Sequence, residues 1–385
     1  MRYQSLDGLR GLFLILMMEA HVNAVLRSGL GRLDHHDVSW ADAAHGFVLL
    51  SGLVAGLVYT RILARDGASR MTRSMLDRVR TVYAYHAATV LALLALALAA
   101  LALGRSVPLL APVMEHPAMM TALALGLVAD LDFLDILPMY VVFMAVSPGL
   151  LRWMWRGRLF PILAASGALW LMAQGGLGGW FMSRIEAWLP RNLSDLPIGI
   201  FFDLMGWQLV FVVGMALGHL VATGRNPAPT LLRPDRQGPV WAALGVIVAL
   251  AVLRLLVKPT SFGPLPPLLD DKARNSVIYL LSLVANGYVV AWLLVAAQAA
   301  STPWLRAAGR GLTGIATWRP LVFLGQHSLQ AFAAHVVYVY ALALAIGPTP
   351  LDQGPAAVLF LTSPAPLFLA AWLHSAARHR RLGAA

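Results

Sequence analysis

Arg10, Glu19 and His21 fall within or against an otherwise apolar run, "LDGLRGLFLILMMEAHVN", near the start of the chain. An ionisable group carried into a bilayer costs about 2.5–3.5 kcal/mol on insertion scales, so it faces a partner or a cavity. An imidazole titrates near neutral pH and can take a proton from a hydroxyl or attack a carbonyl itself. A guanidinium presents a planar fork of donors that fits phosphate or carboxylate. His21 lies eleven positions after Arg10. At about 100° per residue that is three turns plus about 20°, so both project from one helix face, about 16 Å apart along the axis. Glu19 points nearly opposite to His21 and is not its partner within the helix. The structural alternatives are plain ones: Arg10 as an interfacial anchor, His21 as a neutral ring bonded to a neighbouring helix.

Other polar residues sit where apolar runs begin or end. Asp135 opens the fourth run as a carboxylate that can orient His21; with Pro138 in the first turn it is equally an N-cap. Trp207 can stack on a flat ligand face or pack in a core. Gln208 beside it carries an amide that needs partners inside lipid. His335 lies midway along a late run as a candidate second polar group for the same cavity, and His327 lies near the start of that run. Arg73, Arg78 and Arg80 form a basic patch able to hold phosphate groups, or simply to fix topology. Asp34, His35, His36 and Asp37 are adjacent in a short loop, where all four cannot ligate one ion, so no metal is expected. "GGLGG" at 175–179 reads as a loop and not a phosphate cradle, since no Gly-Lys-Ser/Thr follows it. His45 has no role legible from its surroundings.

The elements that carry these residues follow from composition. The 385 residues are 59% hydrophobic and 12% charged, with a mean hydropathy of +0.71. Soluble domains carry about twice that charged fraction. A polytopic, all-α membrane protein is implied, forming one domain over 1–385, with the lipid bilayer as its solvent. The net charge of +11 is no sign of a nucleic-acid partner, because the arginines cluster in short segments between apolar runs. The chain has no cysteine, which excludes disulfides, thiolate zinc sites and thiol catalysis. No small-residue cleavage site follows the first run, which is expected to be a retained helix.

About ten spans are expected, near 9–26, 42–63, 80–103, 135–152, 159–177, 201–222, 240–257, 275–299, 321–346 and 356–376. The apolar piece 118–129 is too short to cross and is expected to be re-entrant. Arginines follow every even-numbered span: 61–80, 152–158, 225–236, 306–319 and 378–381. Those segments and both termini are therefore expected in the cytoplasm. Pro-rich 225–239 and 258–268 are expected as loops. No internal repeat is evident.

The opening "LDGLRG", with Arg10 and His21, resembles the start of the acyltransferase-3 superfamily, in which this Arg–His pair is regarded as essential. "GFVLLSG", residues 46–52 and including Ser51, resembles that superfamily's second-helix motif. Three further stretches narrow the resemblance to the OpgC family of glucan succinyltransferases: "DILPMY" with Asp135 and Tyr140, "WQLVFVVG" with Trp207 and Gln208, and "LGQHSLQAF" with His327. Asp203, just before the Trp-Gln pair, departs from the pattern.

That resemblance implies a multi-pass bacterial inner-membrane O-acyltransferase with no permanently bound cofactor. It would move a succinyl or related group from cytoplasmic succinyl-CoA, or another acyl-CoA, to a periplasmic glucan. It implies His21 as base or transient acyl carrier and Arg10 as the donor's anchor, aided by Arg73, Arg78, Arg80 and His327. Glu19 and Asp135 would support the chemistry, and Trp207, Gln208, Tyr140, His335 and Ser51 would meet the acceptor. Acylation of another envelope polysaccharide or lipopolysaccharide sugar is the alternative substrate, and a transporter or flippase of a sugar-linked or acyl molecule the alternative class. A succinyl donor needs a further cation, for which Arg184, Arg191 and Lys258 are the candidates.

Overall fold

Inside lipid no water satisfies the backbone, so a chain of this hydropathy must close its hydrogen bonds within helices. Runs of Leu, Ala, Val and Met do so readily. The computed structural model describes residues 4–33, 39–186, 196–199, 202–257, 265–349 and 351–383. Among them no β-strand forms, and one isolated bridge joins Ala129 to Ile198. The Asp34–Asp37 cluster, Arg191 and Lys258 lie outside the described residues.

The helices run in order α1 Gln4–Leu26, α2 Ala43–Ala102, α3 Ala111–Glu115, α4 Pro117–Leu125, α5 Ile136–Trp155, α6 Leu159–Gln174, α7 Leu177–Glu186 and α8 Leu204–Ala222. They continue with α9 Ala228–Leu231, α10 Gly238–Val257, α11 Val277–Val295, α12 Pro303–Ala316, α13 Arg319–Gln326, α14 Ser328–Ile346, α15 Gln353–Thr362 and α16 Ala365–Gly383. Eight stretches are long and apolar enough to cross a membrane, the last being α15 with α16 up to Arg380. One of them, α2, has 60 residues, which would be about 90 Å if straight, about three hydrocarbon cores. Gly67 breaks it with φ +81°, a conformation open to glycine. Its two halves and the shorter apolar α6 bring the crossings to ten.

Neighbour contacts fix the directions. Arg10 meets Ser328 and His21 meets His335, so α1 and α14 run parallel. Gly52 abuts Phe211, Gly56 abuts Met215, and Thr60 bonds His219, so the first half of α2 runs with α8. Beyond Gly67 the direction reverses: Tyr85 meets Gln330, and Arg105 donates to the carbonyls of Leu344 and Ala345. The second half of α2 thus climbs beside α14. The first half of α2 and α8, both followed by arginines, thus point the same way, as the alternation expected from the sequence requires.

Residues 108–125, which include most of the stretch 118–129, double back along α2 as short helices. From Arg105 the chain turns back along α2, until Tyr83 and His86 donate to the carbonyls of Leu125 and Ala124. That level is about 28 Å of helix below Arg105. The chain then returns to place Phe133 against His21.

Several expectations need correction. Residues 64–79 are helix on either side of Gly67 and not a loop, because Ala, Arg, Met and Leu there continue the helical run. Span nine is broken at His327, where α13 gives way to α14. Of "GGLGG", Gly175 and Gly176 form the expected turn, whereas Leu177, Gly178 and Gly179 already belong to α7. The basic stretch after span eight is an amphipathic helix, α12, with Leu305, Gly309 and Ala316 buried and Trp304 and Ile315 exposed.

Small residues let backbones meet where the site is built. A Cβ on Gly52, Gly56, Gly214 or Gly218 would collide with the facing helix backbone, so α2 and α8 interlock along paired glycines. Gly8 and Gly11 of α1 press likewise against Ala316 and Leu321. The second contact seats the start of α1, and hence Arg10, against α13.

Candidate active site

His21 is held between two rings. Its Nδ1 lies 2.7 Å from Nε2 of His335, and its ring stacks on Phe133 with centroids 4.2 Å apart. His335 projects from the middle of α14 and is fully buried. The two imidazoles lie 24° from coplanar with centroids 4.7 Å apart. With so short a nitrogen–nitrogen distance, this is an edge-to-edge hydrogen bond in which one ring donates and the other accepts.

His21 also lines a cavity of about 430 Å3. Trp40, Phe133, Phe202 and Tyr279 give it aromatic faces, and Asp42, Asp132 and Asp135 give it carboxylates. Arg254 and Lys272 bring two cations to the same wall. The lining is fixed by its own hydrogen bonds. Trp40 donates Nε1–H to the Leu250 carbonyl, and the Arg254 guanidinium lies 4.4 Å from the Trp40 ring centroid. Asp42 caps α2, accepting from the backbone N–H of Ala44 and His45, and binds the His45 ring at 2.7 Å. The same carboxylate pairs with Lys272. Asp135 stands at the N-cap position of α5 yet makes no side-chain cap bond. Flat apolar faces beside acceptors suit a ligand with a C–H face and a ring of hydroxyl donors, which describes a sugar.

Toward the basic side, Arg10 donates to Ser328 Oγ at 2.6 Å and lies 5.5 Å from the Phe47 ring centroid. Phe47 also lines an apolar crevice with Ser51, Ile136, Tyr140, Phe143 and Phe211. Ile136 lines both the crevice and the cavity, so the two adjoin, and Phe47 sets the crevice beside Arg10. Its volume is about 10 Å3, room for about one water.

The structure thus brings His21, His335 and Asp135 together and sets Tyr140 and Ser51 in the crevice below. Trp207 is elsewhere: it is fully buried, and its Nε1–H points to the carbonyls of Lys272 and Ala273. Its ring packs on His45 and Phe202 behind the cavity wall. Gln208 joins α8 to α6, accepting from Ser166 Oγ and donating to the Ser166 carbonyl. Asp203, the departure from the family pattern, caps α8 through Met205 and Gly206. Glu19 is half-buried and not among the cavity residues. His327 meets the Phe323 carbonyl and lies edge-on to His374. Arg73 and Arg80 are exposed, Arg80 pairing with Asp77, and Arg78 is half-buried. Arg184 is exposed beside Trp180 and does not line the cavity.

Trp40, Asp42, Asp132, Phe133, Arg254, Lys272, Tyr279 and Ser328 do not stand out in the sequence as site residues. Asp42 carries a readable signal, an Asp three residues before His45 at the head of an apolar run, which is the pattern of an N-cap. Arg254 and Lys272 flank a long loop and converge only through the antiparallel pair α10 and α11, where Leu250 packs with Ile278.

A family model described as OpgC protein matches residues 2–379. No curated protein and no solved structure matches the chain.

Proposed function

The chain belongs to the OpgC protein family, and on that premise we propose that it is a membrane O-acyltransferase moving a succinyl or related acyl group from a cytoplasmic acyl-CoA to hydroxyls of a periplasmic glucan. The family assignment carries the class, acyl transfer to a glucan. The observation that carries the site is His21, which lines an aromatic and acidic cavity on the same helix as Arg10.

In this reading the glucan hydroxyl enters the 430 Å3 cavity, where a sugar face meets Trp40 or Phe133 and its hydroxyls meet Asp132 and Asp135. Arg10, held by Ser328, takes the donor's phosphates on the basic side. The donor arm passes along the crevice beside Phe47, Ser51 and Tyr140, which must widen to admit it. His21 accepts the hydroxyl proton while the oxygen bonds to the thioester carbonyl carbon. The carbon–sulfur bond then breaks, and the CoA thiolate takes the proton from the imidazolium, so an ester and a free thiol result. If His21 attacks first, an acyl-imidazole and CoA thiol form, and the sugar hydroxyl then displaces the imidazole. Arg254 and Lys272 are the cations that would receive the free carboxylate of a succinyl group, in place of Arg184, Arg191 or Lys258.

Mass spectrometry of periplasmic glucans tests the proposal, comparing cells with the intact protein, the His21→Ala form or no copy. Succinyl mass additions that require both the protein and His21 support it. Identical glucans in all three strains refute the glucan acceptor, and unmodified sugars throughout the envelope refute acyl transfer in favour of transport.

A further inference from the structure

His335 is fully buried, and its Nε2 lies 2.7 Å from Nδ1 of His21. We propose that His335 is a positioning residue that fixes the tautomer of His21: it accepts the proton of His21 Nδ1–H, so that Nε2 of His21 carries the lone pair. The inference rests on the acyltransferase reading and goes beyond it, because that reading needs a base but does not say what makes His21 one.

Counting protons along the buried chain leads to this assignment. Among the described residues no polar atom is in strict hydrogen-bond geometry with His335 Nδ1. The acceptor it faces is the Phe332 carbonyl, about one turn back on α14. A carbonyl only accepts, so the proton of a neutral His335 belongs on Nδ1. Its Nε2 is then an acceptor, and the 2.7 Å contact must be donated by Nδ1–H of His21. In a neutral His21 the lone pair then belongs to Nε2, on the ring edge turned from His335. A free imidazole favours the opposite tautomer, with its proton on Nε2, in which that edge could not accept a hydroxyl proton. Phe133, stacked on the ring, opposes the ring rotation that would carry Nδ1 away from His335. Had His335 been leucine, His21 would occupy the same place in the wrong protonation pattern. An orienting partner that fixes a tautomer is a recognised requirement of histidine bases.

Two variants separate this role from packing. In His335→Gln the amide oxygen stands near the position of Nε2 and can still accept; in His335→Met the volume is similar but the acceptor is lost. Protein labelled with 15N-histidine gives the tautomer of His21 directly, its signals identified as those missing in His21→Gln. The expected result is a proton on Nδ1 in the wild type and in His335→Gln, moving to Nε2 in His335→Met. Transfer by His335→Gln should stay within about tenfold of wild type, and kcat of His335→Met should fall on the order of 100-fold with little change in KM, the scale of general-base assistance. A proton on His21 Nε2 in the wild type, or equal kcat in the two variants, overturns the proposal. Absence of transfer by the wild-type protein would count against the acyltransferase reading, while the nitrogen spectra still decide the positioning role.

Discussion

Replacing Asp42 separates the forces that shape the cavity wall. Its carboxylate is buried and serves three partners at once: the first turn of α2, the His45 ring and Lys272. Losing an N-cap costs about 1 kcal/mol. Losing a buried hydrogen bond to His45 costs about 1 kcal/mol more. The Lys272 side chain is 32% exposed, so solvent screens that pair, and it adds about 0.5–1 kcal/mol. Asp42→Ala should therefore destabilise the fold by about 3 kcal/mol, a change of about a hundredfold in the unfolding equilibrium. Asp42→Asn keeps an oxygen for the cap and loses the charge, so it should cost about 1 kcal/mol. Titrating the micelle-embedded protein with SDS, followed by tryptophan fluorescence, reads both. Equal losses in the two variants would refute the capping role and make the ion pair with Lys272 the larger contribution. A loss below about 0.5 kcal/mol in Asp42→Ala would refute the whole assignment.

Three further outcomes follow from the packing and the site. Gly52→Ala should lower stability in the same titration by about 1–3 kcal/mol, because its methyl group meets the Phe211 carbonyl; an unchanged midpoint would contradict the interlocked glycines. Ser328→Ala should raise KM for acyl-CoA by about tenfold with little effect on kcat, since one hydrogen bond to a charged group is lost; steady-state kinetics check it, and a fall confined to kcat would oppose the donor role of Arg10. Arg254→Gln should weaken use of succinyl-CoA by about tenfold or more relative to acetyl-CoA; a competition assay with both donors measures the ratio, and an unaltered ratio would remove Arg254 from acyl recognition.

Much of the architecture was legible in hydropathy, because lipid forces every spanning segment to announce itself as a run of apolar residues. The arginine clusters gave the alternation, and the spacing of Arg10 and His21 gave their shared face. Composition misled where a helix continues past the bilayer: residues 64–79 are polar and basic, yet they remain helical up to and beyond Gly67. It misled again at α12, whose apolar stripe is too narrow to register as a span. Within the site, Trp207 drew attention as an aromatic in a family motif, but burial behind His45 turns it into packing. The cavity's own aromatics and cations, Trp40, Arg254, Lys272 and Tyr279, come from three separate parts of the chain. Their convergence depends on which helices pack together, and periodicity within one helix carries no record of that.

His21, in a cavity opposite the donor side, is the group proposed to pass an acyl group to a sugar hydroxyl. Liposomes reconstituted with the purified protein, given labelled succinyl-CoA on the arginine-rich side and glucan on the other, put that role to trial without other envelope enzymes. Label should appear on the glucan as an ester with the wild-type protein, and not at all with His21→Ala of equal stability. Glucan labelled equally by His21→Ala, or labelled donor crossing the membrane intact with no ester formed, would contradict it.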